Sequence, residues 1–166
     1  MLDTCSRNPI SPIQEKMTTP ESWKKTSKYF DELVASDKTH YVKKLTLNND
    51  KILPDPYSIS EGWSTETANF PDVTYPDIYN YLIETPSEFT RDKMKVYKSL
   101  EAFNFFVSGH VDDVFVKDSG LKSFLFFKSN VLPSQRQGEK QEPYQTWIVT
   151  HEKGWILSAN CTCMAG

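Results

Sequence analysis

The sequence predicts an α+β fold, and three observations point to it. Met94, Tyr97, Leu100, Phe103 and Val107 recur every three or four positions, the stripe of an amphipathic helix. After Gly109 the pattern changes to short apolar runs broken by turn residues, which reads as consecutive antiparallel strands. Between Leu53 and Pro76, four prolines exclude any long regular element. The expected architecture is a set of N-terminal helices, then one long amphipathic helix packed on a C-terminal antiparallel β-meander.

Residues 1–18 hold prolines, serines and threonines without periodicity, including Asn8-Pro9 and Ser11-Pro12. They read as a flexible leader in which Cys5 is a solvent-exposed thiol. Thr19-Pro20 supplies an N-cap and a proline at the first helical position, so a helix is expected from there. Trp23, Ser27, Phe30, Leu33 and Val34 would share its buried face. Ser36-Asp37 can cap a second helix carrying Tyr41, Val42 and Leu45, ended by Asn48-Asn49-Asp50. His40 is read as a surface or half-buried residue of that helix, with no Cys or His at metal-ligand spacing nearby.

The proline-rich run from 53 to 76 interleaves Tyr57, Trp63, Phe70 and Tyr75. Exposing that many aromatics would be costly, so an irregular segment packed over the core is expected, with peptide binding as the rarer use. Pro76 should start a short helix through Ile83, with Ile78, Tyr79 and Leu82 inward. The longest helix should run from Thr90 to about Ser108 and end at Gly109 as a left-handed cap. The strand candidates are Val111–Val116, Leu121–Val131, Tyr144–Thr150 and Trp155–Asn160. Asp118-Ser119-Gly120 is a turn, and residues 133–143 form a polar loop.

Composition narrows the function. At 166 residues, with 38% hydrophobic and 13% aromatic content, the chain can bury a core of its own. Residues 1–90 carry nine Lys/Arg against fourteen Asp/Glu, and residues 91–166 ten against eight. That split gives no clustered basic patch of the kind a duplex-binding surface shows. No apolar run approaches the length of a membrane span, and the first residues lack the apolar core of a signal peptide. The 3 cysteines are an odd count, which argues against a disulfide framework. An intracellular setting is expected, the nucleus included.

The strongest chemical candidate is Cys161-Thr162-Cys163, directly after the last strand. Side chains two apart on a strand share a face, so both sulfurs can meet one ion. Zinc takes four such ligands in a tetrahedron, and this pair supplies two. The plain alternative is two buried cysteines with no ligand role. His151 would be carried to the far end of the intervening strand, roughly 25–30 Å away at the rise of a strand, and is rejected as a third ligand. His110 is read as a helix-terminal residue whose cation would complement the dipole. Asp112-Asp113 are adjacent on an extended segment and face opposite sides, so a shared metal is not expected. No Ser-His-Asp, Cys-His or glycine-rich phosphate loop is present, so no catalytic residue is assigned. Arg136 and Lys140, in the Ser134–Lys140 stretch of the polar loop, could touch phosphate or carboxylate.

The C-x-C ending resembles the first half of a SWIM-type zinc finger, whose pattern is C-x-C, a spacer, then C-x-H. The approach to it is similar as well: Trp147-Ile148-Val149, the turn His151-Glu152-Lys153-Gly154, then Ile156 to Asn160. The likeness extends back through Val131 to Arg136, Tyr97 to Phe103 and Asp77 to Leu82, and reaches Asp55-Pro56-Tyr57. It covers roughly residues 29–166 of this chain, and the group it is similar to consists of large eukaryotic proteins, many of which carry a lambda-exonuclease-like (YqaJ-type) nuclease domain further on. The chain departs from that group at Pro133, where histidine is frequent, and it holds no C-x-H pair. With the leader (1–18) and the α+β unit (19–160, helical to 109 and strand-rich after it) read from the residues, the resemblance implies that 161–166 is the first half of a finger, cut short. It implies Zn(2+) in the complete protein, held first by Cys161 and Cys163, and a non-catalytic module that contacts nucleic acid or protein, with no membrane partner. The other readings are the accessory front end of a YqaJ-type nuclease, or a truncated gene product. Neither oligomeric state nor partner identity is legible.

Overall fold

The computed structural model describes residues 19–84, 102, 104–121, 123–133 and 142–163. Its centre is a four-stranded antiparallel meander in the order β1-β2-β3-β4. The strands are Phe115–Asp118 (β1), Phe124–Val131 (β2), Tyr144–His151 (β3) and Ile156–Cys161 (β4). The α+β expectation therefore holds. Of the long helix, residues 104–107 are helical, while most of Thr90–Ser108 lies outside the described residues. Its end has the predicted cap. Gly109 sits at φ +72°, its N–H donates to the Phe106 carbonyl, and the His110 N–H donates to that of Phe105. The leader and the 134–141 part of the polar loop also lie outside the described residues.

Register sorts the strand side chains onto two faces. Phe126 pairs with Val149 and Val149 with Ser158, while Lys128 pairs with Trp147 and Trp147 with Asn160. Phe126, Trp147 and Val149 on this face are buried, and they join Trp23, Phe30, Tyr41, Val42, Leu45, Leu47 and Leu53 in one cluster. On the opposite face Phe127 pairs with Ile148 and Ile148 with Ala159. A bulge at Val149/Thr150 leaves Leu157 as the extra residue of β4, since Thr150 pairs with Ile156 and Val149 with Ser158.

The helical layer consists of Lys28–Glu32 (α1) and Ala35–Lys44 (α2). The helix expected from Thr19-Pro20 starts eight residues later. Thr19 to Trp23 make a turn closed by the Trp23 N–H on the Pro20 carbonyl, and Ser27 is the N-cap, its hydroxyl accepting from the Phe30 N–H. The reason is tertiary: the Ser27 N–H is taken by the Asp55 carboxylate at 2.8 Å, which fixes that residue as extended. Val34, expected inward, is 63% exposed and serves as the N-cap of α2.

The proline-rich segment packs as expected through Leu53, Asp55 and Pro56, whereas Tyr75, one of the four aromatics expected to pack, is 76% exposed. Asp55 is fully buried and caps a 3-10 turn at Pro56–Ser58. Its carboxylate accepts from the Ser27 N–H (2.8 Å), the Tyr41 hydroxyl (2.7 Å) and the Tyr57 N–H (3.1 Å). Tyr41 in turn accepts from the Trp147 indole N–H at 3.1 Å, so one chain of bonds runs from α1 to β3. The Trp23 indole donates to the Leu53 carbonyl at 2.8 Å beside it. Further on, Tyr75–Tyr79 (α3) continues into a π turn at Asn80–Glu84 over the second sheet face. Ile83 is buried there, but Ile78, expected inward, is 40% exposed.

The buried Tyr41 phenol is pushed far above its ordinary range, first by burial and then by the charge of Asp55. Its folded pKa thus exceeds the unfolded value of about 10, so its contribution is complete below that pH and is lost as pH rises above it. Urea melts should show stability falling above about pH 10, with a shallower fall in Tyr41→Phe. Asp55→Asn puts a donor among three donors and should cost about 2–4 kcal/mol at pH 7 in the same assay. Gly154, at φ +94°, turns the β3–β4 hairpin against the Asp72 carbonyl, where an added Cβ would collide with backbone. Gly154→Ala should therefore cost about 2–3 kcal/mol, read as a drop in melting temperature.

Candidate metal centre

The thiol pair stands where β4 ends. Cys161 is its last residue and pairs with Thr146. The chain then bends, so the two cysteines do not share a face by strand alternation. The bend itself brings them together. The Thr162 N–H donates to the Gln145 carbonyl at 2.9 Å, and the Thr162 hydroxyl accepts from the Gln145 N–H at 3.0 Å. With Thr162 held on β3 by both groups, the Cys163 N–H turns back and donates to Cys161 Sγ at 3.2 Å. A sulfur that accepts a backbone N–H is placed as a thiolate ligand would be.

Electrostatics around the pair are mixed. Burial pushes the Cys161 thiol up to about 11, and the hydrogen bond with the Cys163 side chain adds to that shift. The Cys163 N–H and the Lys44 ammonium pull it the other way. Lys44 closes the last turn of α2. Its Nζ donates to Asn160 Oδ1 at 2.7 Å, and its carbonyl accepts from the Ser158 hydroxyl at 2.5 Å. Burial lowers the Lys44 pKa, and the two cysteine charges oppose that. Tyr57 completes the support, its hydroxyl donating to the Gln145 carbonyl at 2.9 Å and, more weakly, to that of Asn160 at 3.4 Å.

The donor set fits half of a zinc site. Two free, half-buried thiols lie within one turn, one of them already bonded by N–H. Among the described residues no three His, Cys, Asp or Glu side chains converge. The histidines stand elsewhere. His151 ends β3 opposite Phe124 and stacks on Trp155 at 4.7 Å. His110 Nδ1 lies 2.8 Å from the Ser108 hydroxyl, and His40 is exposed on α2. Asp112 and Asp113 are exposed ahead of β1 and form no joint site. Cys5, Arg136 and Lys140 lie outside the described residues. No described helix is long and apolar enough to cross a membrane.

Sequence reasoning missed Lys44, Tyr57 and Lys128 as parts of this end of the sheet. A signal existed for Lys128, a lysine inside the apolar run Phe124-Leu125-Phe126-Phe127-Lys128. Asking where that ammonium would go leads to the aromatic rings around it. Lys44 and Tyr57 carried no such signal, because their partners lie 116 and 88 residues away. Compared with known proteins, the chain matches no family model, no curated protein and no solved structure.

Because thiolate is the reactive form, a thiol held near 11 should be slow to alkylate. At pH 8, iodoacetamide should modify Cys161 at least about tenfold more slowly than a free cysteine, followed by mass spectrometry of the tryptic peptides.

Proposed function

We propose that this chain is a non-catalytic binding module whose Cys161 and Cys163 supply the first two thiolates of a zinc site. The observation that carries this reading is the bend at Thr162, which is bonded to β3 twice and turns the Cys163 N–H onto Cys161 Sγ. Two thiols with their backbone already arranged lose little further freedom on capturing an ion. The SWIM-like approach to the pair supports the same reading, and in a SWIM-type finger a C-x-H element would supply the other two ligands. Bound zinc would clamp the end of β4 and contribute folding free energy there. The clamped end would then be a fixed platform for nucleic acid or protein. Nothing among the described residues favours the nuclease-accessory reading over this one.

With two ligands from one chain, an ion reaches four by joining two chains. Cobalt(II) added to the intact chain should give thiolate-to-cobalt absorption at a stoichiometry of two chains per ion. Cys161→Ser and Cys163→Ser should each remove that absorption, and Cys5→Ser should leave it. Absorption that survives Cys161→Ser, or none at millimolar cobalt, would refute the proposal.

A further inference from the structure

A second site lies beside the thiol bend and uses no cysteine. Between the Pro56–Trp63 stretch and the ends of β2 and β3 is a cleft of about 380 Å³. Three aromatics, Tyr57, Trp63 and Phe115, line it together with Lys128, Asn130 and Gln145. The size falls at the small end of the range for pockets that hold small molecules.

Lys128 rests on the aromatic rings, and its ammonium and the two amides have no charged or hydrogen-bonding partner among the described residues. Lys128 Nζ lies 4.0 Å from the centroid of the Trp63 ring and 5.9 Å from that of Phe115. The Trp63 indole is fixed by its N–H on the Ile59 carbonyl at 3.1 Å. Among the described residues the ion pair is Lys28–Glu32, and none of their carboxylates neutralises Lys128. Burial alone accounts for the lowering of its pKa. The side-chain amides of Asn130 and Gln145 make no hydrogen bond among the described residues, where only their backbone groups are engaged.

These features select a ligand. A purely apolar ligand would strip water from an ammonium and two amides and return nothing to them. An extended peptide needs free backbone groups, but Ser129 and Asn130 are paired with Thr146 and Gln145, and the Asn130 carbonyl accepts from the Asp112 N–H. What remains is a flat ring carrying an anion: the ring against the aromatic wall, its edge on the amides, the anion on Lys128. We propose that this cleft binds one nucleotide unit, a base with its phosphate, either free or as one link of a single strand.

The test uses the intact chain in EDTA, so that failure of the zinc reading does not affect it. Anisotropy of a fluorescein-labelled ten-residue deoxythymidylate strand reports binding, with thymidine monophosphate, thymidine and inorganic phosphate as competitors. Thymidine monophosphate should compete, with thymidine and phosphate each about tenfold or more weaker. Lys128→Met keeps the stem over Trp63 and should weaken binding about tenfold, while Lys128→Arg should retain it. Asn130→Asp sets a carboxylate beside the phosphate and should weaken binding similarly, which covers a misfolded Lys128→Met. Monophosphate that matches the strand would identify a free nucleotide as the source, and a much tighter strand would identify a nucleic-acid link. The proposal fails if these variants bind as well as the parent, or if phosphate alone competes as well as the monophosphate. It also fails if binding vanishes in Cys161→Ser yet survives Lys128→Met, or if a peptide carboxylate displaces the strand better than the nucleotide does.

Discussion

One buried carboxylate ties this molecule together. Asp55 has no exposed surface and no cationic partner among the described residues, yet it draws donors from three segments. Removing a carboxylate from water is expensive, and charge-assisted hydrogen bonds are what offset it. Two of the three donors are backbone N–H groups that would otherwise be orphaned, one before α1 and one opening the Pro56–Ser58 turn. The third, Tyr41, passes the connection to Trp147 and so to the sheet. The helical layer is therefore located by a polar network within an aromatic cluster, where Tyr41 also packs edge-on to Trp23, Tyr29 and Trp147. Apolar packing alone would fill the space with less directional specificity.

That network reaches the candidate sites through two residues. Tyr57, held by Asp55 through its N–H, uses its hydroxyl on Gln145 and Asn160. Lys44, at the end of the helix that carries Tyr41, grips Ser158 with its carbonyl and Asn160 with its ammonium. Both act on the same end of the sheet. Gln145 is shared, lining the aromatic cleft with its side chain while its backbone holds Thr162. The cleft and the thiols are thus neighbours built on one strand end, with different chemistries and a common support.

The strands were legible because their signals are local. The Asp118-Ser119-Gly120 turn and the aromatic and β-branched runs around it define a meander without help from distant residues. Val111 shows the limit: it makes only an isolated bridge to Val131, and the first strand begins at Phe115. The start of α1 was misread because Thr19-Pro20 satisfies every local rule for a cap, while the true boundary is set 28 residues away by Asp55. Nothing in Asp55-Pro56-Tyr57 announces a buried carboxylate, since burial of a single polar residue has no period. The thiol pair was visible by composition, but its geometry was not. Strand alternation predicted a shared face, whereas a threonine hydroxyl satisfying the Gln145 N–H bends the chain at that point.

The bulge in β4 has a consequence for presentation. A strand has only two phases, and one extra residue exchanges them. With Leu157 inserted, Ser158 and Asn160 turn toward Lys44 and Tyr57, and Cys161 shares the other face with Thr146 and Ile148. In an unbulged pairing Ala159 and Cys161 would point into the aromatic layer, and the sulfur would be sealed among rings. The hairpin thus works as a parity switch: a single surplus residue, four positions upstream of the first thiol, decides whether Cys161 opens outward or is interred.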